Sequence, residues 1–432
     1  MSELSAALAE ALPKHVEGGP EWLASLRSNG AKQFRAHGLP SRKDEAWKYT
    51  GLTRLAEGNL QLGSGFESWE SGLTNPKPLV EADVQVNMLD GQFLELVGDV
   101  PAGLTVLPLS VAIRDNAEGL KELLESLDET SPKGSSDGFS ALNSATLDAG
   151  LFIRVASGVD AGKLSISWST RAVETPLLFN SRVCVMLEER AQMSLLEQFE
   201  SPDDNANSSN IVLQIAVGQD ACFSHVRFQQ ENDDAAIFTR TEVSQQSGSD
   251  YGYFGFDLGG GLVRHDLHSN LWGPGAKAAL NGAYLLDGNR HVDNHARVDH
   301  RAPGGVSDQY FRGVAGGRGR AVFNTAVCVH PGADETEATQ SNANILLSAR
   351  AEVDTKPELE IYADEVVASH GATVGQLDEQ AVFYMQSRGL SEADARQLLT
   401  TAFCRSVSDK LVDPVLSEVI SERMMDVMPQ AE

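Results

Sequence analysis

Histidine is the side chain best suited to hold a transition metal or move a proton near neutral pH. His265, His268, His291, His295 and His300 crowd into one short stretch of this chain. On a strand, His291 and His295 would project from one face, where a metal could be bound. No carboxylate or cysteine at matching spacing accompanies them, so the preferred interpretation is histidines scattered over a polar sheet face. Asp354, Glu358, Glu360 and Asp364 would suit the acid and base of a β-helix sugar-cleaving enzyme. Acidic residues alternating along one strand are more often its solvated face. Gly158-Val159-Asp160-Ala161-Gly162-Lys163-Leu164 comes closest to a phosphate-cradling loop. It is one residue short and has Leu where a magnesium-binding Ser or Thr belongs, so the chain is not itself a P-loop ATPase. His370 stands apart, in Ala368-Ser369-His370-Gly371, a run that reads as a loop between two kinds of structure.

The elements around these residues change character along the chain. Leu4, Leu8 and Leu12 mark a short amphipathic helix, and Pro20 opens a second that carries Trp22, Leu23, Leu26 and Phe34 until Gly38 stops it. Ser41 with Asp44 has the spacing of a variant capping box. Val84–Val97 holds two short strands and Ala117–Leu127 a helix, and Ser131–Ser136 (SPKGSS) is the best linker candidate. Between Phe139 and Thr355, β-rich runs such as Met193–Glu197, Cys222–Gln229 and Ala321–Val329 recur with almost no helical period. They suggest a sandwich, a barrel or a β-helix, but their spacing is too irregular to reveal a repeat.

The turning point is Pro357–Leu390. Leu359, Ile361 and Ala363 alternate with Glu358, Glu360, Tyr362 and Asp364, a strand with one buried face. Asp378 then caps a helix with a modest stripe of Val382, Phe383 and Met385, closed by Gly389. Ser391 caps the next, with Ala395, Leu398, Leu399, Ala402 and Phe403 on one face, and Asp413-Pro414 opens the last.

Totals exclude whole classes of function. Against 34 basic residues stand 61 acidic ones, a net charge of −27, which opposes docking on nucleic acid or anionic lipid. Cys184, Cys222, Cys328 and Cys404 are far apart in sequence, with no CxxC, so neither a zinc knuckle nor a local redox pair can be written. Dispersed thiols suit a reducing compartment. No apolar run approaches the ~20 residues of a membrane span, and the N-terminus lacks a signal pattern. A cytoplasmic location is expected.

Two signatures carry a resemblance. One is the strand, the Ser369-His370-Gly371 run and the helix ending Phe383-Tyr384-x-x-Ser387-Arg388-Gly389. The other is Arg42-x-Asp44-Glu45-x-Trp47-x-Tyr49-Thr50, with support from Phe139–Gly150, Asn289–His300 and Ala349–Leu359. Together they resemble the SufB/SufD family of the SUF iron–sulfur cluster assembly system. The Ser-Arg-Gly ending and the Ile361–Gly371 segment follow the SufD side of that family; SufB-type sequences usually carry a Cys-rich segment and Gln-Arg-Gly there.

The resemblance implies a mainly β protein, a right-handed parallel β-helix core flanked by N-terminal and C-terminal helical regions, divided at 1–137, 138–375 and 376–432. It implies a non-catalytic scaffold subunit that docks the ATPase SufC and pairs with SufB, and it leaves open whether the isolated chain forms a homodimer. His370 becomes a candidate metal ligand at the SufB contact, where a transient iron–sulfur cluster would form. Phe383, Tyr384, Arg388 and Gly389 become candidates for binding SufC, although core packing competes for Phe383. The chain departs from the common pattern at Ala368, where a cysteine is usual, so no thiolate role carries over. The alternatives are a SufB-type paralogue, a β-helix carbohydrate-active enzyme, and a metalloenzyme built on the His265–His300 group.

Overall fold

The computed structural model describes residues 2–13, 19–63, 78–130, 137–171, 173–200 and 206–429. The candidate linker SPKGSS lies outside them. From Gly150 onward, strands alternate between two ten-stranded sheets, each strand pairing in parallel with the one two ahead. One sheet runs from Leu104–Pro108 to Glu352–Ile361, the other from Gln92–Gly98 to Val367–Gly375. The result is a β-solenoid of about seven turns with helices at both ends of the chain. This is the β-helix core expected from the resemblance. The starting edges are closed by two antiparallel pairs, Val84–Leu89 with Gln92–Gly98 and Leu104–Pro108 with Gly150–Val155. Among the described residues, no helix is long and apolar enough to cross a membrane.

Why the strands lacked clean alternation is now plain. Ile166, Trp168, Val298, Phe323 and Val329 fill the space between the sheets. The outer face of the second sheet is also covered, since Phe254, Phe256, Leu285 and Val314 pack against Val382, Ala395, Val407, Leu416 and Ile420 of the C-terminal helices. The N-terminal helices cover part of the first sheet, with Leu8, Phe34 and Trp47 against Phe238 and Leu262. A strand buried on both faces loses its period of two.

The repeat is real but uneven. Register advances by 26 residues from Ala236 to Leu262, by 29 from Leu262 to His291, and by 32 from Arg320 to Glu352. Both strands and corners vary in length, as in Asp250–Asp257 of 8 residues against Lys277–Leu286 of 10, which hides the period from a fixed window. One corner is stacked on glycine: Gly248, Gly275 and Gly304 have φ of 67°, 69° and 68°. The amides of Gly248 and Gly275 each donate, over 3.0 Å, to the proline carbonyl of the next turn, Pro274 and Pro303. Only glycine enters that left-handed region without strain.

Local signals placed the helices. Asp378, Ser391 and Asp413 each accept a backbone N–H at the start of Glu379–Ser387, Glu392–Ser408 and Pro414–Asp426. The helix expected over Ala117–Leu127 lies at Leu120–Thr130. Ser41 does meet Asp44, its amide donating over 2.7 Å, but only the short 3-10 turn Glu45–Trp47 follows. Two short helices, Thr53–Glu57 and Leu109–Arg114, went unforeseen, and so did a third, Gly138–Ala145 at the head of the β-rich segment. It packs on Glu21–His37 across Gly30, where a Cβ would meet the backbone of Ala145 at 2.7 Å and of Ala141 at 2.8 Å.

Candidate functional site at the open end of the solenoid

Both sheets end on strands whose outer edges no described residue pairs. Along Val367–Gly375 every position is half-buried or exposed, and Val367 is 71% exposed. Ile361, Tyr362 and Val374 are exposed beside it. Unpaired N–H and C=O groups flanked by apolar side chains form a template for another strand.

His370 lies within this last strand, which corrects the loop expected from the sequence. It pairs in register with Gln340, and Gln340 with Gln309 before it. Leu280 and Tyr253 precede these in the same column, buried between the sheets. His370 therefore continues an interior column and is exposed only because no further turn stacks over it. His-Gly suggested a turn, but Gly371 has no positive φ and the ladder with Glu337–Leu346 holds it extended. Ala368 is the neighbouring inward position, packed against the core.

The residues assigned to the helical flank are brought together by one helix end. Phe383 is 72% exposed and Tyr384 is exposed beside it. Core packing of Phe383 is overturned: Val382, 2% exposed, takes the buried position, and Met385 supports it. Arg388 donates to the Tyr384 hydroxyl over 3.0 Å, and its guanidinium lies 5.1 Å from that ring. Gly389 adopts φ of 99°, the left-handed stop the sequence suggested.

The five histidines divide between the two faces of the first sheet. His265 and His300 point inward. His265 meets Thr239 and stacks on Tyr253 at 5.5 Å, and His300 meets Ser307 at 2.8 Å. His268, His291 and His295 point outward. His291 and His295 do share a face, but His291 meets Thr50 at 2.9 Å and His295 meets Asp293 at 3.0 Å. A sheet stands between the halves, so the group does not assemble into one site. Burial pushes His291 and His300 down to about 4. Burial also opposes charge on His268, yet Glu242 at 3.1 Å and Asp299 at 2.6 Å outweigh it and raise its pKa.

Above His268 and His295 lies a cavity of about 770 Å³. Its roof is Asp44–Tyr49 of the N-terminal signature, and Trp47 stacks on Phe139 while Arg264 sits 4.5 Å over its ring. Its charges are largely spent on one another, as in Arg264 with Asp266 at 2.7 Å. The acidic residues of the penultimate strand are similarly engaged: Asp354 pairs with Arg320 and Glu358 with Lys356. One cluster escaped sequence analysis altogether. Asp299, Cys328 and His330 offer ligand atoms within 4.8 Å of one another. Their one-turn spacing was the available signal, and it was invisible without the register.

The fold and this open end define a class: a two-sheet β-solenoid with a helical flank and an uncapped final turn. Comparison with known proteins carries this further. The model for the SufBD core domain of SUF-system iron–sulfur cluster assembly matches residues 170–403, and that for the SufBD N-terminal region matches 10–164. The chain belongs to the SufBD family of iron–sulfur cluster assembly proteins. It is 28% identical to the iron–sulfur cluster assembly protein SufD of Escherichia coli, over 97% of this chain and 98% of that protein. It is also 28% identical to a SufBD family protein of Synechocystis, over 90% of this chain and 87% of the relative. A SufBD family protein of Mycobacterium leprae is 33% identical over a shorter stretch, 37% of this chain and 43% of the relative.

Proposed function

We propose that this chain is a non-catalytic, SufD-type scaffold subunit that pairs with SufB through the open end of the solenoid and docks the ATPase SufC on its C-terminal helices. The observation that carries the pairing is the interior column left uncovered at His370. A partner strand laid along Val367–Gly375 would continue the ladder, cover Val367 and bring its own ligands against the His370 imidazole. A cluster assembled there is cargo, and a neutral imidazole is a suitable borderline ligand for iron. In the absence of SufB, the same edge would serve a homodimer. The exposed Phe383 and Tyr384, with Arg388 held against the ring, support the helical flank as the SufC surface. A cytoplasmic location fits this role.

The test is co-expression with SufB and SufC from the same genome, followed by size-exclusion chromatography and native mass spectrometry. Val367→Lys with Val374→Lys places charges on the exposed edge, a device that blocks strand addition. The double variant should remain folded, lose SufB and keep SufC. Retention of SufB at wild-type stoichiometry would rule out pairing through this edge.

A further inference from the structure

Cys328 makes one weak polar contact, to Glu360 at 3.9 Å, although it is nearly buried among charged groups. Asp299, Cys328 and Glu360 are cross-strand partners on three successive strands of the first sheet. They therefore project from its outer face in one row. His330 follows the strand that carries Cys328 and turns its Nε2 to within 2.6 Å of Asp299. The second oxygen of Asp299 is held by His268 and Arg297, each at 2.6 Å, and Arg297 also donates to the first oxygen over 3.0 Å. That is how a coordinating carboxylate is usually oriented, by hydrogen bonds from behind.

We propose that Asp299, Cys328 and His330, completed by Glu360, bind a divalent first-row transition metal of the zinc or ferrous type. The site is distinct from His370, and nothing about it depends on a partner chain. Mixed thiolate, imidazole and carboxylate donors suit these ions and not magnesium or calcium, which take oxygen ligands. Metal–ligand bonds of ~2.0–2.3 Å in a tetrahedral site put donor atoms roughly 3.3–3.8 Å apart. The Asp299–His330 contact must open from 2.6 Å, and any separation near the 4.8 Å limit must close, shifts of no more than about an ångström. His330, with its side chain 31% exposed, and the exposed Glu360 are free to make them. As the metal–sulfur bond forms, the Cys328 thiol releases its proton to solvent.

The test uses metal-free full-length protein titrated with Co²⁺, whose thiolate complexes show a near-ultraviolet charge-transfer band. Wild type should develop that band to one equivalent and lose it on adding Zn²⁺. Cys328→Ser should abolish the band. His330→Ala, at a partly exposed position that does not threaten folding, should weaken Zn²⁺ binding at least about tenfold, the lower end for loss of even an outer-shell partner. Cys222→Ser removes the exposed competing thiol and should leave the band and the affinity unchanged. A band that survives Cys328→Ser, that disappears with Cys222→Ser, or that never forms in wild type overturns the proposal. So does unchanged Zn²⁺ affinity in His330→Ala.

Discussion

Phe383→Ala separates binding from stability more sharply than any other change on the helical flank. A phenylalanine side chain presents roughly 200 Å². At 72% exposure, about 140 Å² of it is open to a partner in the free chain. Covering that area at ~25 cal/mol per Å² gives an upper limit of about 3.5 kcal/mol, on the order of a few hundredfold in Kd. Folding has little at stake, because Val382 and Met385 hold the helix to the core while Phe383 faces away. The variant should unfold within about 0.5 kcal/mol of wild type. Calorimetric titration of SufC into wild type and variant measures the first quantity, and urea unfolding the second. The expected pattern is at least tenfold weaker SufC binding at unchanged stability. Equal Kd values would mean that SufC docks elsewhere, and a stability loss of several kcal/mol would mean that this ring is not the free surface described above.

Other consequences follow from single residues. His370→Ala should leave folding and SufB and SufC binding near normal while impairing cluster assembly in cells. Complementation of a strain lacking its own SufD, with an iron–sulfur enzyme's activity as readout, checks this, and full rescue would make His370 an ordinary edge residue. Gly30→Ala should destabilise the protein by about 1–3 kcal/mol, although Gly to Ala inside a helix normally stabilises, because the new Cβ meets backbone at 2.7 Å. A thermal melt decides the sign. His300 is fully buried with its pKa lowered to about 4, against ~6.5 in an unfolded chain. Between those values the unfolded state takes up the extra proton, so stability falls as pH drops from 6.5 toward 4, by about 2–3 kcal/mol from this residue. Urea unfolding at pH 7.5 and pH 4.5 should show a smaller difference in His300→Gln than in wild type.

Local chemistry was legible from the amino-acid order alone. Asp378, Ser391 and Asp413 cap helices because each needs only its own side chain and an amide two or three residues on. Gly389 stops its helix for an equally local reason, and the signatures at Arg42–Thr50 and Phe383–Gly389 were enough to suggest the family. Everything decided by register was out of reach. The two-sheet solenoid rests on pairings 26 to 32 residues apart, at intervals set by strands and corners of variable length. His370 belongs to a strand because Gln340, one turn of the solenoid earlier, lies beside it. The histidines between His265 and His300 were seen as one group, yet a backbone that alternates faces sends two of them inward and three outward. Phe383 and Val382 are adjacent and both apolar, and only the docking of their helix against the solenoid chose which one to bury. Asp299, Cys328 and His330 meet for the same reason: one turn of the solenoid returns the chain to the same place on the sheet, an event that sequence order records as distance.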